Sequence, residues 1–329
     1  MSADTMKTES NHLRRMTTIW VILSVAVDLV YWFAIGPHVP PGRLTETAIN
    51  NQKTFNVLMV LALPVLVGVW VYLGYAATIW SAKHTDAPES VGGEAARTNR
   101  RTQAWWIVVT SIVVLFLAGY GSYAVVIEHG AGGGEGPNPV WTPQGAVKAE
   151  LAAQTGTAQW APGEDKALVV QVIGQQWKFT YRYPAFGGFE SDKLLLPAHA
   201  TIVFNVTSLD VIHSFWAYQL GVKADANPQV NNVAYTETKE PGNFTVRCSE
   251  LCGIWHGSMY NYGQVVSQSA FEQWANSTEA ANAANTKNLP PFAWTYVPDA
   301  NGASGGLYPD GNVTPYSTSE AYGSTTPAS

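Results

Sequence analysis

Ala167-Leu168-Val169-Val170-Gln171-Val172-Ile173 and, one glycine on, Gln175-Gln176-Trp177-Lys178-Phe179-Thr180-Tyr181-Arg182-Tyr183 form the stretch on which the fold turns. The first part is a β-branched run. The second alternates, placing Trp177, Phe179, Tyr181 and Tyr183 on one face and Lys178, Thr180 and Arg182 on the other. Thr201 to Thr207, Val233 to Thr238 and Phe244 to Cys248 continue the strand pattern, and Pro197-Ala198-His199 and Glu240-Pro241-Gly242-Asn243 punctuate it with turn signals. Several short strands with no helix between them predict an all-β Greek-key sandwich.

The last of these strands runs into both cysteines of the chain, in Arg247-Cys248-Ser249-Glu250-Leu251-Cys252-Gly253-Ile254-Trp255-His256-Gly257-Ser258-Met259. Two thiolates, an imidazole and a thioether are soft and borderline ligands, which select copper over magnesium, calcium or manganese. One loop rarely closes a whole coordination shell, so a second histidine is expected from elsewhere. His213, in Asp210-Val211-Ile212-His213-Ser214-Phe215-Trp216, is the best placed. A structural disulfide is the plain alternative, but a bridge does not require a histidine and a methionine four and seven residues later. A mononuclear blue-copper site uses one cysteine, two histidines and a weak methionine, and the second cysteine sets this loop apart from it. Trp255 and Phe215 are expected to limit water access to the site.

C-S-E-L-C-G-x-x-H-x-x-M, with D-V-I-H-S and L-G-V-K-A-D-A-N-P upstream of it, resembles subunit II of the haem-copper oxidases, the cytochrome c oxidase subunit that carries the dinuclear copper centre CuA. The resemblance is dense from Val169 to Val266 and loose over the membrane segments. It implies the cupredoxin form of the sandwich, with the metal loops at one end. It also implies that Cys248 and Cys252 bridge two copper ions, that His213 and His256 cap them, that Met259 is a weak axial ligand, and that Glu250 contributes its backbone carbonyl. The Glu250 carboxylate would reach a magnesium or manganese ion shared with subunit I. Trp177 would be the entry point for electrons from cytochrome c, its other reading being a core aromatic. Lys223 and Asp225 would lie at the subunit I surface, or else form a loop ion pair.

The function so implied is to accept electrons from cytochrome c and pass them to a haem in subunit I, where oxygen is reduced to water with proton pumping. A CuA-bearing nitric oxide reductase differs only in its catalytic subunit. A membrane-tethered copper carrier would use cysteine and methionine ligands, yet would need neither the Trp177 strand nor the Ser-Glu between the cysteines. Two departures from the family pattern stand out. Lys178, Phe179 and Arg182 replace the aromatics and the acid near the entry tryptophan, a surface that steers a basic soluble cytochrome poorly and favours a membrane-tethered or fused cytochrome c domain. In Thr102-Gln103-Ala104-Trp105-Trp106, Gln103 stands where relatives carry a proton-feeding glutamate, so another residue must supply that role.

The rest of the chain is organised around a membrane. Only 13% of its 329 residues are charged and the net charge is −6, which leaves no basic surface for nucleic acid. Apolar runs at about 16–35, 56–80 and 104–127 are each long enough to cross a bilayer core of roughly 30 Å, making residues 1–130 a membrane anchor of two or three helices. The first run carries Asp28 and is followed by Ile35-Gly36-Pro37-His38 rather than a small-residue cleavage site, so it reads as a retained helix rather than a signal sequence. Lys7, Arg14 and Arg15, then Lys83, Arg97, Arg100 and Arg101, put the N-terminus and the second loop in the cytoplasm. The copper loop is then extracytoplasmic, on a multi-pass protein of the plasma membrane. Residues 131–165 read as a linker, with Gly130 to Gly136 flexible; residues 166–270 as the cupredoxin domain; and residues 271–329 as a short helix and a low-complexity tail. The sequons at Asn205, Asn243, Asn276 and Asn312 read as chance matches.

Overall fold

The computed structural model describes residues 3–39, 42–79, 100–127, 135–136, 141–143, 145–162 and 167–287. They fall into two compact units, one drawn from residues 1–39 and 53–122, the other from residues 40–52 and 123–329. The low-complexity tail expected beyond residue 287 and most of the glycine run at 130–136 lie outside the described residues.

The first unit is helical. Helix α1 (Ala3–Val30) continues through a π-helical turn, Tyr31–Ile35, and a short 3-10 turn, Gly36–His38. Helices α2 (Glu46–Thr78) and α3 (Arg100–Val126) follow, and all three spans are long and apolar enough to cross a membrane. Polar side chains link α1 to α2: His12 Nδ1 meets Tyr75 Oη at 2.9 Å, Trp20 Nε1 donates to the Pro64 carbonyl at 2.7 Å, and Tyr31 Oη donates to Asn56 Oδ1 at 2.8 Å. In an apolar surrounding such bonds join helices that the hydrophobic effect cannot drive together.

The second unit is a two-sheet sandwich preceded by helix α4 (Ala146–Gln154). One sheet has the order β1 (Glu135–Gly136), β9 (Asn232–Glu237), β6 (Thr201–Ser208), β2 (Leu168–Gln175), β3 (Lys178–Tyr183), β4 (Phe189–Ser191). The other has the order β5 (Leu194–Pro197), β11 (Tyr260–Val266), β10 (Gly242–Cys248), β7 (His213–Ala217), β8 (Val222–Ala226). β2 pairs with β6, and β5 with β11, in parallel; the remaining pairs are antiparallel. This two-sheet sandwich is the architecture anticipated from the strand pattern, in the cupredoxin form that the resemblance implies. Between the sheets lies an aromatic core of Phe179, Tyr181, Tyr183, Phe189, Phe204, Phe215 and Phe244, closed at one edge by Phe271 and Trp274 of helix α5 (Gln268–Thr286).

Two sequence expectations need correcting. The stretch read as a linker is structured where it is described: Glu135–Gly136 pairs with β9, and α4 packs Ala146 and Ala153 on the outer face of the first sheet with Trp141 and Ala158 beside them. That cover explains why Leu168 to Ile173 is buried on both faces and reads as a continuous apolar run rather than an alternating one. Arg182 is not surface-exposed either. It is 6% exposed, lies between Gln171 of β2 and Glu190 of β4 in the sheet register, and is paired with Glu190 at 3.2 Å.

Candidate metal centre

Three connections converge at one end of the sandwich: the β2–β3 turn at Gln176 and Trp177, the segment from Leu209 to Ile212 before β7, and the long loop between β10 and β11. Strand pairing does the positioning. β7 and β10 are neighbours, with Cys248 opposite Phe215, and the Ser249 N–H donates to the Ser214 carbonyl at 3.0 Å. His213, which opens β7, is thereby brought beside Cys248, which closes β10. The loop then turns through a short 3-10 segment, His256–Ser258, and the Cys248 N–H bonds the Met259 carbonyl at 3.0 Å, folding Met259 back beneath the cysteines.

The resulting arrangement is nearly symmetric about the two sulfurs. Cys248 Sγ and Cys252 Sγ are 3.7 Å apart and not joined. Cys248 Sγ lies 3.8 Å from His213 Nδ1 and 3.2 Å from the Glu250 carbonyl oxygen. Cys252 Sγ lies 3.5 Å from His256 Nδ1 and 3.8 Å from Met259 Sδ. Each sulfur therefore has one imidazole and one weak donor. His213, Cys248, Cys252 and Met259 are buried, His256 is half-buried, and the side chain of Glu250 faces outward. Burial, and then the neighbouring Cys248, push the Cys252 thiol up to about 12. Two thiols this close resist ionising together unless positive charge joins them, which a soft cation would supply.

A second layer aims these donors. Asp210 Oδ1 takes the Nε2 hydrogen of His213 at 2.9 Å, leaving Nδ1 with its lone pair toward Cys248. The other oxygen, Oδ2, accepts the Gln176 N–H at 2.7 Å. Burial raises the Asp210 carboxyl, but the bonds from Gln176, His213 and Val211 outweigh it and hold the group below its ordinary range. Gly174 makes room for the imidazole, since a Cβ there would stand 3.0 Å from His213 Cδ2. Gly253 adopts a φ of +117°, in the region that favours glycine, and lets the Trp177 ring pack against the loop. Trp177 Nε1 and Gln176 Nε2 both donate to the Cys252 carbonyl, at 3.2 and 2.9 Å.

All six atoms expected as ligands thus meet in one place, and Trp177 touches the loop that carries them. Lys223 and Asp225 pair with each other at 3.2 Å. Phe215 is buried behind His213, but Trp255 is 57% exposed and does not screen the site; Leu251 and Ile254 beside it are more exposed still. Asp210, Gln176, Gly174 and Gly253 were not singled out from the sequence; Gln176, Gly174 and Gly253 act through contacts with distant parts of the chain, and Asp210 through the local fold that turns it onto His213 and Gln176.

Residues 189–266 match the family model described as cytochrome c oxidase subunit II, periplasmic domain. A cytochrome c oxidase subunit 2 from Thermostichus vulcanus is 27% identical over 285 residues, spanning 80% of this chain and 86% of that one. A probable cytochrome c oxidase subunit 2 from Rickettsia bellii is 36% identical over 143 residues, and there the chain spans 53% of the relative's length. The solved periplasmic domain of cytochrome oxidase subunit II from Bradyrhizobium japonicum aligns with 35% of this chain and 94% of its own at 31% identity, with a TM-score of 0.34.

Proposed function

Because this chain belongs to the subunit II family of the cytochrome c oxidases, and so is one subunit of a haem-copper terminal oxidase, we propose that the cluster at Cys248 and Cys252 is a dinuclear copper centre that accepts electrons singly and passes them to a haem of subunit I. The observation that carries this reading is the two-fold donor set: His213 and the Glu250 carbonyl beside one sulfur, His256 and Met259 beside the other. A mononuclear site needs no such duplication. Two copper ions bound there would share one unpaired electron, so that reduction moves few atoms.

The chain's own residues hold the rest of the arrangement. Asp210 fixes the tautomer and direction of His213, and burial of both cysteines and Met259 keeps water from the sulfurs. Trp177 is the electron entry, and its indole N–H to the Cys252 carbonyl is a direct bonded path into a ligand residue. The donor is a cytochrome c. With Arg182 withdrawn into its pair with Glu190, Lys178 is the exposed basic side chain next to Trp177 on its strand, while Leu209, Val211, Ile212, Leu251, Ile254 and Trp255 expose apolar surface on the loops that form this end. That surface supports docking through apolar contact and suits a tethered or fused cytochrome better than one steered by charge. The outward Glu250 carboxylate is the group for a magnesium or manganese ion shared with subunit I. Basic residues flanking the helices support a multi-pass protein of the plasma membrane with the copper domain outside.

The test is spectroscopic. The full-length chain, purified in detergent and loaded with copper, is expected to be purple and to show a mixed-valence signal with hyperfine coupling to two equivalent copper ions. A colourless protein with a single copper, or a stable Cys248–Cys252 disulfide under the same loading, refutes the assignment. The large subunit that co-purifies decides between oxygen and nitric oxide as acceptor.

A further inference from the structure

Far from the cysteine loop, the outer face of the six-stranded sheet carries a buried polar row. Asn205 of β6 lies opposite Gln171 of β2, Gln171 opposite Arg182 of β3, and Arg182 opposite Glu190 of β4. Helix α4 lays Glu150 onto the Asn205 end of this row, among Ala146, Ala153, Val169, Val203 and Val233. Glu150 is 4% exposed and Asn205 is fully buried. Asn205 Nδ2 donates to Glu150 Oε1 at 2.9 Å, while the other amide atom, Asn205 Oδ1, is buried with no hydrogen-bond partner among the described residues.

A buried acceptor left unpaired keeps the full cost of its desolvation. An ionised carboxylate has no hydrogen to offer it, whereas a carboxylic acid has one. We propose that Glu150 is held as the neutral acid, pairing with the Asn205 amide as donor and acceptor at once, and that release of its proton loosens α4 from the sheet. The step is a simple acid dissociation: the O–H bond to Glu150 breaks, the proton passes to solvent, and the carboxylate left behind faces Asn205 Oδ1 with no hydrogen between them.

The surroundings support a neutral acid. From β6 and β2 the facing groups are the amides of Asn205 and Gln171, and from β9 the buried Tyr235. Arg182 of β3 is engaged by Glu190 of β4, so its charge is matched at the far end of the row. On α4 itself Lys148 points outward, and Gln154, one turn on, is buried but uncharged. Desolvation accordingly raises the Glu150 carboxyl to about 7, the Asn205 bond opposing it. In sequence α4 joins the last apolar helix to the first long strand, so this connection would be rigid in acid and loose in base. The inference is independent of what the cysteine loop binds.

The test is amide hydrogen exchange on the full chain in its detergent-solubilised complex, between about pH 4 and about pH 9, corrected for intrinsic exchange. Protection of residues 146–154 is expected to fall as pH rises from about 4.5 to about 7, by up to about 300-fold, and to level off above that, while β6 and β10 keep theirs. Glu150→Gln, which carries the same hydrogen permanently, is expected to be flat with pH. Constant protection in the wild type, or an equal fall in the variant, overturns the proposal. Infrared spectroscopy gives a measurement that needs no variant to fold: a protonated-carboxyl band that disappears through neutrality supports the proposal, and its absence at the acid end refutes it.

Discussion

Replacing Asp210 by alanine probes the part of the centre that no ligand list contains. Asp210 holds the Nε2 hydrogen of His213 at 2.9 Å and the Gln176 N–H at 2.7 Å. His213 is fully buried beneath Asp210, so its Nε2–H would lose a fixed charged partner, at a cost of about 1–3 kcal/mol. Asp210 itself is 33% exposed, so its charge is partly screened and the hydrogen-bond geometry dominates. Freed of its partner, the imidazole can take the other tautomer and present N–H rather than a lone pair toward Cys248. Losing such an orienting partner typically lowers metal affinity by about 10- to 100-fold. Asp210→Asn retains an oxygen that can accept from one of the two N–H groups, so its loss should be smaller. The assay is competitive copper titration of the full-length chain in detergent, followed by the visible absorption of the sulfur-bound metal. Wild-type affinity in Asp210→Ala, or equal losses in the two variants, would refute the reasoning.

Gly174→Ala places a methyl 3.0 Å from His213 Cδ2 in a site with no space to yield; a loss of about 1–3 kcal/mol in thermal unfolding and of copper colour is expected, and retention of both would show that the ring can move. Trp177→Phe keeps a ring against Gly253 but removes the bond to the Cys252 carbonyl, so copper spectra should be unchanged while stopped-flow oxidation of reduced cytochrome c slows, and more so in Trp177→Leu; unaltered rates would exclude Trp177 as the entry. For Glu150 the folded-state value is raised from 4.5 to about 7, so the folded protein holds the proton more tightly than the unfolded chain does. The destabilisation is absent below about pH 4.5, grows as pH rises, and levels off above about pH 7 at up to about 3 kcal/mol. Denaturant titrations of wild type against Glu150→Gln across that window should diverge with this sign, and parallel curves would contradict the burial argument.

Much of the architecture was legible because it depends on local patterns. Trp177 to Tyr183 alternates as a strand must, and the three apolar runs have the length of a membrane span. The candidate donor cluster was legible for a different reason: cysteine, histidine and methionine at close spacing have few other chemical uses together. What misled was context. Arg182 sits at an outward position of an alternating strand, yet Glu190 and Gln171 flank it and the face is covered. Trp255 adjoins His256 in sequence but turns to solvent, because the loop's inward positions are taken by Cys252 and Met259. The alanine-rich segment at 146–154 looks like a connector until the apolar outer face of β2, β6 and β9 is there to receive it.

By itself, then, the sequence determined the elements and the donor chemistry: strands, apolar spans, two thiols, two imidazoles and a thioether. Only the tertiary structure decided how those donors are shared between two sulfurs, which histidine nitrogen faces inward, and which groups hold it so. The physical reason is that periodicity and residue type are properties of neighbours along the chain. The His213–Cys248 approach, the Gly174 clearance and the Glu150–Asn205 pair join segments far apart in sequence, brought together by the pairing of β7 with β10, the packing of the two sheets and the docking of α4.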